Sequence, residues 1–327
     1  MNYLIIATRI ASYALALIVI IALGFIWHYR DIPADALVVT YSSPDSKFLS
    51  IDGVRFHYRD EGPRDAPAVL LVHAHWASLI MWDEWASALS DKYRVVRFDM
   101  AGHGLTGLDP TGDYTLERGV KLLEQFNNAV DLKRFDIVGT SLGGTHAIHY
   151  TIKNPDHVNR LVLLNPGALN AGVRGRDTAS ALPWWIDALT VITPQSFFQF
   201  MLEGGYGDPN TVPESVVKRW HELQMGTGHR KAELERTRQY VSGDIVGKIK
   251  KLSVPTLIMW GEENPVVTVD QAYEFIDLLK NSPDRQLSIY PGLGHMAALE
   301  DPKITARDIR RFLDGTHRFD DYSKKEL

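Results

Sequence analysis

The sequence predicts an α/β protein with a mostly parallel, doubly wound sheet of about eight strands. Three observations carry this expectation: short, nearly continuous apolar runs, helical periodicity in the intervals, and a glycine-flanked serine at a strand-to-helix junction. Length and composition suit such a body, since 327 residues at 45% hydrophobic and 23% charged are ordinary globular values. They exclude a disordered or collagen-like chain. The sequence has no cysteine, which removes disulfides, thiolate nucleophiles, thiolate zinc sites and iron–sulfur clusters. Its 35 basic and 40 acidic residues are interspersed, with no Lys/Arg block to track a phosphate backbone, so nucleic acid is not an expected partner.

The first element is the uncharged run Ile10 to Trp27. As a helix it spans roughly 27 Å, close to the hydrocarbon thickness of a bilayer. Tyr13, Trp27 and Tyr29 fall where interfacial aromatics sit, and Arg9 and Arg30 bracket the run. A single-pass anchor over residues 1–30 is therefore expected, with the N-terminus inside and the body outside. The alternative is a signal peptide cleaved at Ala34-Asp35-Ala36, but the apolar run is long for one and Arg30, Asp31 and Asp35 crowd the cleavage region. Residues 31–45 read as a linker.

The body opens at 46 with Phe48 to Ile51 and Val54 to Asp60 around Asp52-Gly53, a hairpin turn signal. Six apolar runs follow: Ala68 to Val72, Val95 to Phe98, Phe135 to Val138, Leu161 to Leu164, Thr256 to Met259 and Leu287 to Tyr290. Helical periodicity marks Leu116 to Val130, Gly144 to Lys153 and Ile304 to Phe312, and strands alternating with helices imply parallel pairing. The rhythm breaks between Pro166 and Val254, where large apolar side chains such as Trp184, Phe198 and Trp220 occur without a clear strand run. A structureless loop of that length is improbable in a compact domain, so residues 167–253 read as an inserted helical cap between core parts 46–166 and 254–316. Residues 317–327 read as a polar tail.

The chemistry concentrates at Gly139-Thr140-Ser141-Leu142-Gly143-Gly144, directly after one strand run and before a helical one. In that context G-x-S-x-G is a nucleophile elbow: the serine takes a strained backbone, and glycines remove side chains that would collide in the tight turn. The following helix start offers free N–H groups to an oxyanion, that of Leu142 first. A serine hydroxyl needs an adjacent base, and His295, beyond the last strand run across Pro-Gly-Leu-Gly, is the candidate. His73 and His75 share a spacing that could join His103 at a metal, but no carboxylate pattern accompanies them, so no metal is expected.

From Phe48 to Leu313 the chain resembles the α/β-hydrolase family. The resemblance rests on the elbow, on Leu71-Val-His-Ala-His75 at the family's oxyanion loop, and on Asp99-Met-Ala-Gly-His-Gly104 at its D-x-x-G-H-G turn. It rests also on Trp260-Gly-Glu-Glu-Asn264 at its acid turn and Gly292-Leu-Gly-His295 at its histidine. Within the family it looks most like membrane-anchored bacterial serine hydrolases whose body begins with a hairpin of the type IDGVRFHYRDEG. The resemblance implies Ser141 as nucleophile, His295 as base, and the N–H groups of Leu142 and His75 as oxyanion donors, with no metal or organic cofactor.

Two positions depart from the pattern. The oxyanion-loop glycine is Ala74, which fits if its φ is negative. The acid is Asn264, an amide with no negative charge, and Asn165 occupies the other position sometimes used for the acid. In serine triads an Asp-to-Asn change costs on the order of 10⁴ in turnover. Glu263, and behind it Glu262, are the carboxylates that could swing in, ahead of Asn264 serving as it stands. The expected activity is hydrolysis of an apolar carboxylic ester or related acyl compound. Carbon–carbon bond hydrolysis, acyl transfer and perhydrolysis share the scaffold, and a catalytically weak binding protein would also account for Asn264 and Ala74.

Overall fold

In the computed structural model, which describes residues 2–169, 182–316 and 320–321, the eight expected strands form one sheet. They are β1 (Lys47–Ile51), β2 (Val54–Glu61), β3 (Ala68–Val72), β4 (Arg94–Phe98), β5 (Phe135–Thr140), β6 (Val158–Leu164), β7 (Thr256–Gly261) and β8 (Arg285–Tyr290). A two-residue β9 (Asp320–Asp321), inside the stretch expected as tail, pairs antiparallel with β8. The rest of that tail lies outside the described residues. The order is β1-β2-β4-β3-β5-β6-β7-β8-β9, parallel from β4 through β8 and antiparallel at both edges. Strands β3, β4 and β5 are buried at every position; β3 accordingly reads as an unbroken apolar run rather than an alternating one, whereas β4 and β5 bury Arg94, Arg97 and Asp136 against ion-pair partners.

The direction of winding reverses between β4-β3 and β5, so the loops after β3 and β5 diverge and leave a crevice at the carboxyl ends of the strands. Core clusters lie on both faces of the sheet, one around Leu70, Phe98, Phe126 and Trp260, the other around Leu71, Trp82, Trp85 and Val138. The chain enters through α1 (Asn2–His28), a helix long and apolar enough to cross a membrane, whose Arg9–His28 span is wholly exposed in the protein. The segment 31–45 is not the free linker the sequence suggested. It carries α2 (Ala34–Tyr41), whose Leu37 packs with Leu105 and Leu223 and whose Tyr41 hydroxyl donates to Glu222 at 2.5 Å. Leu37 alone is buried on this helix, a signal too small to separate from linker composition.

The sheet is flanked by α3 (Asp83–Leu89), α4 (Leu116–Ala129) and α5 (Leu142–Lys153). Between β6 and β7 stand α6 (Gln195–Glu203), α7 (Glu214–Gln224), α8 (His229–Gln239) and α9 (Ile245–Ile249), with a 3₁₀ turn over Trp184–Thr190. No strand occurs among the described residues of this insertion. The helices α10 (Asp270–Leu278), α11 (Ala297–Glu300) and α12 (Pro302–Asp314) complete the body. Thr115 caps α4 through Arg118 N and Asp301 caps α12 through Ile304 N, which fixes where each helix starts.

Candidate active site

Ser141 sits at the end of β5 as the residue before α5, at φ 51° and ψ −118°. A non-glycine residue there stores roughly 1–3 kcal/mol of strain, held by the packing around it. The glycines make the turn possible: a Cβ at Gly139 would meet Gly143 O at 2.4 Å, and one at Gly143 would meet Val72 O at 2.3 Å. Leu142 opens α5, so its N–H has no intrahelical acceptor. Across the crevice Ala74 keeps a negative φ, and the positive φ of the oxyanion loop falls at Trp76 instead, at 61°. The alanine in place of the family glycine is therefore accommodated.

His295 arrives on the loop between β8 and α11, and its Nε2 lies 3.0 Å from Ser141 Oγ. Its backbone is clamped. Asn165, buried at φ 45°, donates from Nδ2 to Gly294 O and His295 O at 3.1 and 3.0 Å and accepts from Gly261 N at 3.0 Å. Asn165 thus positions the histidine loop. Glu300 accepts from the backbone N–H groups of Gly207, Gly294 and Met296 and fastens the same loop to the cap.

The acid turn corrects the preference for Glu263. Glu262 and Glu263 are exposed, while Asn264 is buried and stands at His295, its Nδ2 3.1 Å from Nδ1. The tight turn after β7 decides this, because Asn264 N donates to Gly261 O and only the Asn264 side chain projects inward. The amide's orientation follows from its other partners. Val266 N and Val267 N both donate to Oδ1 at 3.0 Å, so Nδ2 is the atom left to face the ring. An N–H donor at Nδ1 makes Nδ1 the acceptor and puts the neutral ring's proton on Nε2, toward Ser141. That is the opposite of the tautomer a general base needs. Rotating the amide would orphan two backbone donors at roughly 1–3 kcal/mol each. Burial alone pushes the His295 imidazole down to about 4, with no carboxylate to offset it.

Glu233 carries no signal in the sequence. From α8 this buried carboxylate accepts from His75 Nε2, and its Oε2 lies 3.2 Å from His103 Nε2 and 3.5 Å from Arg236 Nε. Burial pushes the Glu233 carboxyl up, but His75, His103 and Arg236 outweigh it and hold the group well below the usual carboxylate range. Arg236 also donates to Ala101 O at 2.6 Å, so the cluster latches the cap onto the core. Helix α8 is polar on every side, and a carboxylate on such a helix reads as solvated until the fold places it. His73 is buried with its ring edge-on to His103, centroids 5.0 Å apart, its Nδ1 on Ala74 O and its Nε2 accepting from Met100 N. Among the described residues no group of His, Asp or Glu side chains is arranged to hold a metal ion.

Ser141, His295, His75, Leu142, Arg236 and Thr237 line a cavity of about 250 Å³. Thr237 also walls a second cavity of about 210 Å³ beneath the cap, where Trp76, Ile186, Phe197 and Phe198 face it together with the polar side chains of Thr190, Gln224, Arg230 and Glu233.

A serine on a strained elbow, bonded to a histidine from beyond the last parallel strand, defines a serine hydrolase. The chain belongs to the alpha/beta hydrolase fold family, whose model matches residues 67–302. It is similar to human monoacylglycerol lipase ABHD6, 26% identical over 295 residues and 85% of each chain. It is also similar to 2-hydroxy-6-oxo-6-(2'-aminophenyl)hexa-2,4-dienoic acid hydrolase of Metapseudomonas resinovorans, 27% identical over 283 residues, covering 82% of this chain and 90% of that one. A membrane phospholipase A described as a bacterial virulence factor shares the fold at a TM-score of 0.69 and 21% identity, over 93% of this chain and 97% of that one.

Proposed function

We propose that this protein hydrolyses carboxylic esters with an apolar acyl group, through an acyl-enzyme on Ser141. The observation that carries the reading is the 3.0 Å contact between Ser141 Oγ and His295 Nε2 at the mouth of the cavity. In the reactive form the ring carries its proton on Nδ1 and the Asn264 amide is turned to accept it. Ser141 Oγ attacks the acyl carbonyl while Nε2 takes the hydroxyl proton, and the N–H groups of Leu142 and His75 hold the oxyanion. Collapse expels the alcohol, which takes the proton from the imidazolium. Water then repeats the sequence, releasing the acid and restoring Ser141. Because the resting amide favours the other tautomer, each turnover begins from a minor state, and the wild-type rate is low.

The cavity lined by Trp76, Phe197 and Phe198 next to the serine pocket and the similarity to a monoacylglycerol lipase support an amphiphilic substrate. The apolar N-terminal helix supports a single-pass protein with its body on the extracytoplasmic side, since Arg9 favours the inside while Arg30 is offset by Asp31 and Asp35. Protease added to right-side-out cells should cut the body; cutting only after lysis overturns that orientation. The chemistry is tested with a fluorophosphonate probe and a chain-length series of p-nitrophenyl esters. Wild type should label and turn over slowly, and Ser141→Ala and His295→Ala should do neither. Wild-type labelling no stronger than that of Ser141→Ala ends the enzyme reading and leaves a hydrolase-like binding protein.

A further inference from the structure

Outside α1, nine large apolar side chains are exposed among the described residues, and five of them fall between Trp184 and Phe200 on the cap. Trp184 is 84% exposed, Phe200 75% and Trp185 58%, joined by Val191 and Ile192. A soluble surface seldom concentrates aromatic area in this way without a partner. What lies beside the patch identifies the partner. Arg230 donates from Nη1 to Val191 O at 3.0 Å and from Nη2 to Tyr29 O at 2.9 Å, with Asp31 Oδ1 also on Nη2. One guanidinium therefore ties the exposed turn of the cap to Tyr29, the residue directly after the apolar helix. Trp27 and Arg30, stacked with the guanidinium 3.8 Å from the ring, mark the interfacial level of that helix. Beyond it Ile32 bridges to the cap at Gly226, so the cap cannot drift from the point where the chain leaves the bilayer.

We propose that the Trp184–Phe200 face of the cap rests on the bilayer surface, and that the cavity behind it receives the acyl chain of an ester drawn from that surface. The inference rests on the anchor and ester-hydrolase readings and adds the route between them. The chemistry agrees at each step. Tryptophan and phenylalanine partition at the headgroup boundary. The segment bearing the exposed side chains also lines the cap cavity through Ile186, Thr190, Phe197 and Phe198. Thr237 is common to that cavity and the serine pocket, so a chain entering from the cap points its carbonyl toward Ser141.

The absence of cysteine makes the test direct, since a single introduced cysteine can be spin-labelled in the full chain. Labels at Leu17→Cys in α1, Trp184→Cys and Phe200→Cys on the cap, and Tyr273→Cys on α10 are compared in phosphatidylethanolamine–phosphatidylglycerol vesicles. Collision with membrane-dissolved oxygen is read against collision with a water-soluble nickel chelate. Positions 184 and 200 should shift toward oxygen relative to 273, and position 17 should lie deepest. A deep 17 with aqueous 184 and 200 overturns docking while leaving the anchor; an aqueous 17 overturns both. In a second arm Ile186→Trp should lower the ratio of kcat/KM for a dodecanoyl ester to that for an acetyl ester. An unchanged ratio removes the channel, and absent turnover of both esters by wild type removes the hydrolase reading and the channel with it, the docking readout being unaffected.

Discussion

Two histidines face the serine cavity, and they are backed in opposite ways. His295 is buried, touches Ser141 and has the Asn264 amide nitrogen behind it; His75 is partly exposed and has the buried Glu233 carboxylate behind it. The ring that contacts the nucleophile has no charged partner, and the ring with a carboxylate partner serves the contact between cap and core. A histidine's competence as a base is thus set less by its own position than by the atom at its far nitrogen. The same contrast separates a group tuned for proton transfer from one tuned for holding two layers together.

The largest effect should come from giving His295 the charge it lacks. Asn264→Asp lets a carboxylate keep the Val266 and Val267 N–H bonds and accept from Nδ1, restoring the base tautomer, and should raise kcat by as much as about 10³–10⁴. Its pH profile sharpens the comparison. The base must be unprotonated, so wild-type kcat/KM should rise with pH through about 4 and be level above, while a neighbouring carboxylate moves that limb up toward the ordinary histidine range. A variant no faster than wild type, with the limb unmoved, would break the tautomer argument.

Removing the charge on the other side should be felt as stability. Glu233→Gln leaves His75, His103 and Arg236 without their anion, and breaking a buried pair in this way costs about 3–5 kcal/mol, readable in urea unfolding. A loss under about 1 kcal/mol would mean the latch is incidental.

Acid should destabilise the protein through its buried rings. Burial lowers His103 and His149 to about 3 and His146 and His295 to about 4, against 6.5 for an unfolded ring. Between those limits the unfolded chain binds more protons, so stability is full above pH 6.5 and falls toward pH 4, at up to about 1.4 kcal/mol per pH unit for each ring. Asp136, raised by burial to about 6, acts oppositely and offsets about one of the four in that window. Denaturant midpoints that stay constant from pH 7 to 4.5 would contradict this. The smallest effect belongs to Glu263→Gln: the carboxylate is exposed, and turnover should change by less than about twofold, within the range of surface charge effects.

The sheet was legible because each buried strand imprints an apolar run, and the elbow because a strained serine demands glycines around it. Ser141 and His295 were readable for the same reason, each being tied to a local pattern at the end of a strand. Glu233 had no local pattern: it is one carboxylate on a polar helix, inserted by the cap beside residues more than a hundred positions earlier in the sequence. The segment 31–45 hid its helix because its only buried side chain, Leu37, finds its partner Leu223 across the fold.

What the sequence determined by itself was the list of groups and the order in which they are delivered: an apolar helix, a serine at a bend, an imidazole after the last strand, and an amide where an acid would stand. Tertiary structure alone decided which atom of that amide faces the ring, which carboxylate is buried against which histidine, and which aromatics remain uncovered. Periodicity and turn chemistry are short-range and survive in a string of letters. Hydrogen-bond direction and burial depend on neighbours brought from far along the chain, and exist only once the chain has folded.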